Sequence, residues 1–199
     1  MTPTFPGGAR AHSGATPMLP ALRAYWDSLR DGLAVPSRDK IDPRGLAGAL
    51  EHVFLIERIA PGLARFRVSG MEVNALLGTE LRGTPFALLF ESTALDTLQT
   101  QLEAVFSGPA ILDLQLTGPR GLGRMPMSGR MVLLPLKGRA GQCDLAIGAV
   151  QTDAVGPMRA QRFGIERALR EPIATLRPVV DPSPAPKAPP NLRLLRFDA

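Results

Sequence analysis

The sequence of 199 residues predicts an α+β fold in which five antiparallel strands form one sheet and helices cover one of its faces. Two segments with the residue pattern of strands come early and three come late, and the segments between them have helical spacing. The connections between neighbouring strands are short and hairpin-like, which favours antiparallel pairing with the helices on one face. An N-terminal helix and an extended C-terminal tail complete the predicted fold.

The composition is that of a globular chain. Hydrophobic residues make up 45% of it and charged residues 21%, which suits one domain with a sizeable core. One cysteine and two histidines are too few for a Cys-rich zinc site or an internal disulfide, so we predict no metal site. We find neither an apolar run of membrane-spanning length nor a secretory signal, and we expect a cytoplasmic protein with no membrane partner.

Four segments follow one another along the chain. Residues 1–17 show no hydrophobic periodicity, which predicts a disordered lead-in at the N-terminus. Residues 18–155 hold the folded domain with its N-terminal helix, and residues 156–171 are predicted to form a short helix. Residues 172–199 form a proline-rich tail, which predicts an extended spacer of polyproline type.

The first predicted helix has a narrow apolar stripe. Its apolar residues step by three and four positions, as in a coiled-coil seam: Leu19, Leu22, Trp26, Leu29 and Leu33. Two heptads are too short to stand alone in water, so this stripe needs a partner surface. Two alternatives stay open, because the helix can lie across its own domain or pair with the helix of a second copy in a homodimer.

Alternating apolar and polar residues mark the strands. The first two are Val53–Ile56 and Leu63–Val68, and we predict that Phe66 and Val68 face the same side of the sheet. The segment from Met71 to Phe90 predicts short helical turns, because Gly and Pro interrupt it too often for one long helix. A longer helix and three strands complete the order: Ala94–Ser107, Ile111–Thr117, Met127–Leu136 and Cys143–Gln151.

The two-plus-three order of the strands, together with several short strings, resembles the PAS domain family. The strings are Tyr25-Trp26 with Leu29-Arg30, Pro36 with Arg38 and Ile41-Asp42-Pro43, Val53-Phe54-Leu55, Phe66-Arg67-Val68 with Gly70, Leu77-Gly78 with Leu81 and Gly83, and Leu133-Leu134-Pro135-Leu136. In detail they are similar to the small stand-alone PAS proteins common in alphaproteobacteria, over residues 19 to 152.

The resemblance implies a bacterial sensory or protein-interaction module of signal transduction, with no fused output domain and no defined enzymatic activity. Its expected partner is a signalling protein. The family has no agreed ligand residues to transfer, so the cofactor stays unknown. The cysteine of flavin-adduct PAS domains has no counterpart between Met71 and Phe90, and the proximal histidine of haem-binding PAS domains has none on the helix Ala94–Ser107. We therefore expect neither a covalent flavin adduct nor haem.

A small apolar ligand is a further expectation. Such a fold can enclose an apolar space between the inner face of the sheet and the short helices. The residues expected to line this space are Phe54, Ile56, Phe66, Val68, Leu76, Phe86, Leu89, Leu112, Leu114, Leu134 and Ile147. The alternative is that the same side chains fill the core and leave no room for a ligand.

The net charge of +5 lies outside the predicted domain. Residues 19–155 contain 14 basic and 14 acidic side chains, so nucleic acid is not the expected partner of the folded body. The basic surplus suggests an alternative function, a regulator that docks to nucleic acid or to an acidic protein through its C-terminal segment. The residues of that alternative are Arg159, Arg162, Arg167, Arg170 and the peptide Asn191–Phe197; a solubilising tail is the simpler interpretation.

The sequence offers little support for an enzyme. The only pairing of a cysteine with a histidine in a predicted ordered region is Cys143 with His52, and Cys143 lacks the basic surroundings that lower the pKa of a thiol. The glycines between Gly118 and Gly123 join two strands, whereas a phosphate-binding loop leads from a strand into a helix. We therefore predict no catalytic residues.

Overall fold

The computed structural model describes residues 18–32, 34–46, 48–118, 127–153 and 162–173. Within these ranges lie three α-helices and six strands: α1 Met18–Ser28, α2 Met71–Leu77, α3 Leu95–Ser107, β1 Val53–Ala60, β2 Leu63–Ser69, β3 Ala110–Thr117, β4 Ser128–Lys137, β5 Cys143–Thr152 and β6 Gly164–Pro172. Short 3₁₀ helices connect them: Arg38–Lys40, Pro43–Leu46, Phe86–Leu89 and Ser92–Ala94.

The strands form one sheet in the order β2-β1-β5-β4-β3-β6, and every neighbouring pair is antiparallel. The predicted α+β class, the antiparallel sheet and the N-terminal helix are confirmed. The predicted lead-in, residues 1–17, and nearly all of the predicted tail lie outside the described residues.

The sixth strand corrects one sequence prediction. Residues 164–171 of the predicted short helix, together with Pro172 of the predicted tail, form β6, which pairs along its length with β3. Residues 156–161 lie outside the described part of the chain. The spacing of Ile165, Ala168 and Leu169 is that of a helix face, but a helix of this length is marginal without tertiary support. Pairing with the open edge of β3 satisfies backbone groups that would otherwise have only water as a partner.

The central strands β1, β4 and β5 carry apolar side chains on both faces of the sheet. We call the face that carries Phe54 and Ile56 the inner face; α2, α3 and the 3₁₀ helix Phe86–Leu89 cover it. We call the face that carries Val132 and Ile147 the outer face; α1 covers part of it. The functional question is therefore which of the two faces leaves apolar surface accessible.

Helix α1 lies across its own sheet. Leu19, Leu22 and Trp26 are buried against the outer face, and the indole Nε1–H of Trp26 donates a hydrogen bond to the Pro135 carbonyl at 2.9 Å. Leu29 is half-buried against the same cluster, and Leu33 lies outside the described residues. The structure thus takes the first of the two alternatives for this helix, and the predicted dimer seam is used within the chain.

The region between β2 and α3 is broken into short turns, as the sequence predicts. Helix α2 ends at Gly78, whose φ of 68° is the left-handed conformation that favours glycine. The 3₁₀ helix Phe86–Leu89 begins directly after Pro85. These breaks let the chain fold back repeatedly over the inner face and place Leu76 and Phe86 on it.

Candidate functional site

Eight of the predicted pocket residues meet on the inner face and pack against one another. They are Phe54, Ile56, Phe66, Leu76, Phe86, Leu89, Leu112 and Leu114. The ring of Phe86 has its centroid 5.5 Å from that of Phe54, 5.3 Å from Phe66 and 5.4 Å from Phe90. These distances are those of directly contacting aromatic rings, so the phenylalanines occupy the space in which a ligand was expected. For these eight residues the structure supports the alternative of a filled core.

The other three predicted pocket residues do not lie on the inner face, where the prediction placed them. Leu134 and Ile147 face the outer side, where they pack with Trp26 and its neighbours. Val68 is 56% exposed. The sequence gives no signal for Leu134, because β4 is buried on both faces from Met131 to Leu136 and alternation cannot show which side is which.

The position of Val68 results from a β-bulge in β2. Ile56 pairs with Phe66 and Leu55 pairs with Val68, which leaves Arg67 as an extra residue between the two pairs. A bulge of this kind breaks the alternation of side chains along one strand. Phe66 therefore points inward while Val68 points outward, contrary to the prediction that both face the same side.

Beside α1, the outer face leaves an apolar groove open over β1 and β2. Its floor includes Leu55, Val68 and Ile147, and its cavity measures about 240 Å³. The remaining apolar wall comes from the segment before β1: Ile41, Pro43, Leu46 and Leu50. We call this cavity the outer groove. It exists because α1 packs over β4 and β5 and does not extend to the β1–β2 edge.

A second, more polar cavity of about 640 Å³ continues the outer groove and shares Arg38, Leu55 and Val68 with it. Four arginines line this end: Arg38, Arg67, Arg82 and Arg139. We call it the arginine end. Its acidic side chains are Asp39, Glu57 and Asp144, so the formal charge of the lining is +1.

Glu57 is already neutralised by its neighbours on β2. Its carboxylate accepts hydrogen bonds from Arg65 at 2.9 and 3.1 Å and from Arg67 at 3.0 Å. Burial alone would raise the pKa of Glu57, but these hydrogen bonds outweigh it and the pKa is lowered. Within the described residues, Arg38, Arg82 and Arg139 make no ion pair and can receive an anion.

Exposed apolar side chains adjoin the outer groove. Leu50 is 47% exposed on its wall, and Met71, which follows the groove residue Gly70 in the chain, is 69% exposed. Large apolar side chains exposed at or next to an apolar groove are typical of a binding surface. The sequence reasoning missed this site. The available signal was the long apolar run of β4, which requires cover on both faces, whereas α1 has only three turns.

The structure separates the two residues considered for nucleophilic catalysis. The main chain of His52 is bonded to Val150, seven positions along β5 from Cys143. The thiol of Cys143 donates to the Val105 carbonyl at 3.7 Å, and burial raises its pKa to about 12. A thiol in this state is not ionised at neutral pH, and His52 is not placed to deprotonate it.

Two further observations concern metal binding and membrane crossing. In the ranges that the structure covers, no cluster of three or more His, Cys, Asp or Glu side chains could hold a metal ion. No helix of those ranges combines the length and the apolar character that crossing a bilayer requires.

The basic residues of the C-terminal alternative are interspersed with acids. Arg162, Arg167 and Arg170 are exposed on or next to β6, together with the exposed Glu166 and Glu171. Arg159 and the peptide Asn191–Phe197 lie outside the described residues. The described part of this segment thus presents no continuous basic face.

Similar solved structures are light-sensing LOV domains. The light-state LOV domain of the blue-light photoreceptor Aureochrome1 has 12% identity and a TM-score of 0.37, and the match covers 53% of this chain and 84% of that one. A fungal LOV photoreceptor has 18% identity and a TM-score of 0.37, with 58% and 94% covered. At TM-scores this low, the likenesses support no functional conclusion. No curated protein matches the chain.

The family assignment comes from the sequence itself. The sequence model of the PAS domain family matches residues 15–151, well over half of the chain and nearly the range over which the strings resemble that family. The resemblance is thereby confirmed. The chain belongs to the PAS domain family, whose members are in general sensory signalling modules and typically non-enzymatic.

Proposed function

We propose that this protein is a non-enzymatic PAS module of signal transduction that binds a signalling protein in the outer groove. The observation that carries the proposal is the contrast between the two faces of the sheet. The inner face is closed by packed phenylalanines, whereas the outer face leaves an apolar groove open. In this proposal the protein acts in the cytoplasm and needs no bound cofactor.

The shape of the outer groove favours a partner segment over an enclosed ligand. Pockets that hold small molecules usually bury most of the ligand, whereas the outer groove and the arginine end that continues it are both open to solvent. An amphipathic helix can lay apolar side chains at positions i, i+3 and i+4 into such a groove. Leu55 and Val68 would receive these side chains.

The arginine end adds a charge preference. Arg38, Arg82 and Arg139 are without ion pairs in the described part of the chain, and acidic side chains next to the apolar anchors would complement them. The partner class is therefore a segment with an apolar face and an acidic end. Such pairs act mainly on the association rate and on specificity, so binding should weaken as salt rises.

The test places a photo-crosslinking amino acid at position 68 of the full chain in its native cell. A partner captured there is purified, and its affinity is measured for the unmodified protein and for Val68→Glu. We expect Val68→Glu to weaken binding at least about tenfold, because it adds a charge to an apolar floor and repels acidic side chains. Leu63→Glu is the matched control, since Leu63 is an exposed apolar residue of the same strand outside the groove.

Two results would count against the proposal. One is equal affinity of the partner for Val68→Glu and for Leu63→Glu, which would locate binding elsewhere. The other comes from native mass spectrometry of protein purified without additives: a mass that includes a small apolar molecule would favour ligand sensing over protein docking. We expect the bare mass, because the inner face is filled.

A further inference from the structure

Strand β6 forms the edge of the sheet and lies outside residues 15–151, the range shared with the PAS family. It pairs with β3 on one side, and among the described residues no strand pairs with its other side. An edge strand presents a row of backbone N–H and C=O groups that can bind another strand. The question is which strand fits this edge.

The outer side of β6 carries a short charge pattern. Its register with β3 pairs Arg167 with Gln115, Leu169 with Asp113 and Glu171 with Ile111. Because Ile111 belongs to the outer-face cluster, the side chains of Arg167, Leu169 and Glu171 alternate onto that face. Leu169, the apolar residue between Arg167 and Glu171 on this face, is 48% exposed.

This pattern is complementary to itself in one antiparallel register. If Leu169 lies opposite Leu169 of a second copy, Arg167 of each copy lies opposite Glu171 of the other. Two-fold symmetry makes this contact twice. Opposite charges directly across two strands stabilise their pairing, and like charges destabilise it.

The two neighbouring registers on the Ala168 side are less favourable. If the axis lies between Ala168 and Leu169, Arg167 meets Arg170 and Glu166 meets Glu171, so every charged pair is repulsive. If the axis lies at Ala168, the favourable contact depends on Glu166. That residue is the extra one in the bulge opposite Gln115 and Leu116, so it is out of regular pairing.

We propose that two copies of this chain pair through β6 in the register centred on Leu169, which joins their sheets into one of twelve strands. Glu171 can take part because Arg23 of its own chain engages only Oε2, and its side chain is mostly exposed. The interface lies at the opposite edge of the sheet from β1 and β2. The dimer therefore leaves the outer groove open, and it is independent of the proposed function.

The experiment is sedimentation equilibrium of the full chain over a wide concentration range. We expect a reversible dimer whose dissociation constant rises about tenfold or more in Arg167→Glu and in Glu171→Arg, since each variant places like charges opposite each other. An equimolar mixture of the two variants should recover the dimer, because each strand then faces opposite charges. Arg130→Glu is the control: it makes the same charge change two strands from the edge and should keep the original constant.

Far-ultraviolet circular dichroism and Trp26 emission establish that each variant is folded. Leu169→Lys supplies a second, independent disruption, because it places two ammonium groups at the axis. A wild-type chain that stays monomeric at every concentration overturns the proposal. So does a dimer that survives Arg167→Glu unchanged, and a mixture that fails to recover the dimer overturns the register.

Discussion

Gly148 is the residue on which the closed inner face depends most directly. A Cβ atom at this position would lie 2.5 Å from the ring of Phe54 and 2.7 Å from Cδ2 of Leu133, closer than such atoms approach in folded proteins. The absence of a side chain on β5 therefore lets the Phe54 ring lie against the strand. The filled core thus depends on a residue that contributes no apolar surface of its own.

We predict that Gly148→Ala destabilises the protein by about 1–3 kcal/mol, the usual cost of forcing extra atoms into a packed core. Urea unfolding measures this change in the free energy of unfolding. The control is Gly108→Ala, where a Cβ atom meets nothing within 4 Å. An unchanged midpoint for Gly148→Ala would mean that the inner face has spare room, and would reopen the case for a ligand there.

Within the sheet, residue positions were predictable where a strand alternates cleanly. Phe54, Ile56, Leu112 and Leu114 lie on the inner face as predicted, because β1 and β3 alternate there. Val68 could not be placed, since the bulge at Arg67 is a property of pairing with β1 and leaves no local mark in the sequence.

At the scale of elements, Glu103 ties α3 to the hairpin of β1 and β2. Its carboxylate accepts hydrogen bonds from Arg58 at 2.8 and 3.0 Å, from the Gly62 backbone N–H at 2.9 Å, and from the Ser107 hydroxyl. The bond from Ser107 and then that from Gly62 hold the pKa of Glu103 below its ordinary value of 4.5. Folding therefore favours the ionised carboxylate.

We predict that Glu103→Gln lowers the free energy of unfolding at neutral pH by about 0.5–1 kcal/mol, a small value because the side chain is more than a third exposed. Because the folded-state pKa is lowered, the stabilisation is present above pH 4.5 and disappears as pH falls through the lower folded value. Denaturation of both proteins across acid pH tests this. The exposed Glu80→Gln should show no such difference, and a gap that widens in acid would contradict the assignment.

Helix α1 depends on its contact with the sheet for its structure. Trp26 is fully buried, its N–H is bonded to Pro135, and the Arg30 guanidinium lies 5.2 Å from its ring centroid. It is also the only tryptophan of the chain, so its fluorescence reports on the contact between α1 and the outer face of the sheet.

Trp26→Ala is predicted to destabilise the protein by about 3–5 kcal/mol, the range for removing a large buried aromatic side chain. Thermal or urea unfolding followed by circular dichroism measures it, because the variant has lost its fluorophore. Met71→Ala is the comparison, a large apolar side chain that is mostly exposed and should cost under about 0.5 kcal/mol. Equal effects would mean that α1 is only loosely attached.

The elements were largely predictable from the sequence, with β6 as the exception. Strands β1 to β3 alternate apolar and polar residues, β4 and β5 are short apolar runs of strand length, and the breaks after α2 follow from Gly78 and Pro85. For β6, the local spacing of Ile165, Ala168 and Leu169 predicts a helix, which the structure does not form. Its partner β3 lies some fifty residues earlier in the chain. Only pairing with that distant strand makes the segment a strand and not a helix.

At the scale of the whole molecule, one sheet is shared by two apolar clusters, one on each face. If the sheet unfolds, the apolar side chains of both clusters become exposed to water together. We therefore predict a single cooperative unfolding transition, in which Trp26 emission, which reports on the outer face, and far-ultraviolet circular dichroism change at the same urea concentration. Emission that shifts at clearly lower urea would show that α1 detaches first and that the outer face is a separate unit.

The sequence predicted the fold of the molecule but not its open surface. The outer groove depends on where α1 stops and on how far the segment before β1 bends over the sheet. Both depend on distances between elements that are remote in the chain, and no local pattern encodes them. Leu50 and Val68 were accordingly not recognised as surface residues.

The extra residue in β2 also has a consequence for sequence change. In most strands, losing one amino acid reverses the two faces of everything beyond it. Here Phe66 and Val68 already pair with the consecutive residues Ile56 and Leu55 of β1. In a chain that lacks Arg67, Phe66 therefore still points inward and Val68 still points outward. Deletion at this position removes a kink and a charge, and the division between interior and surface survives it.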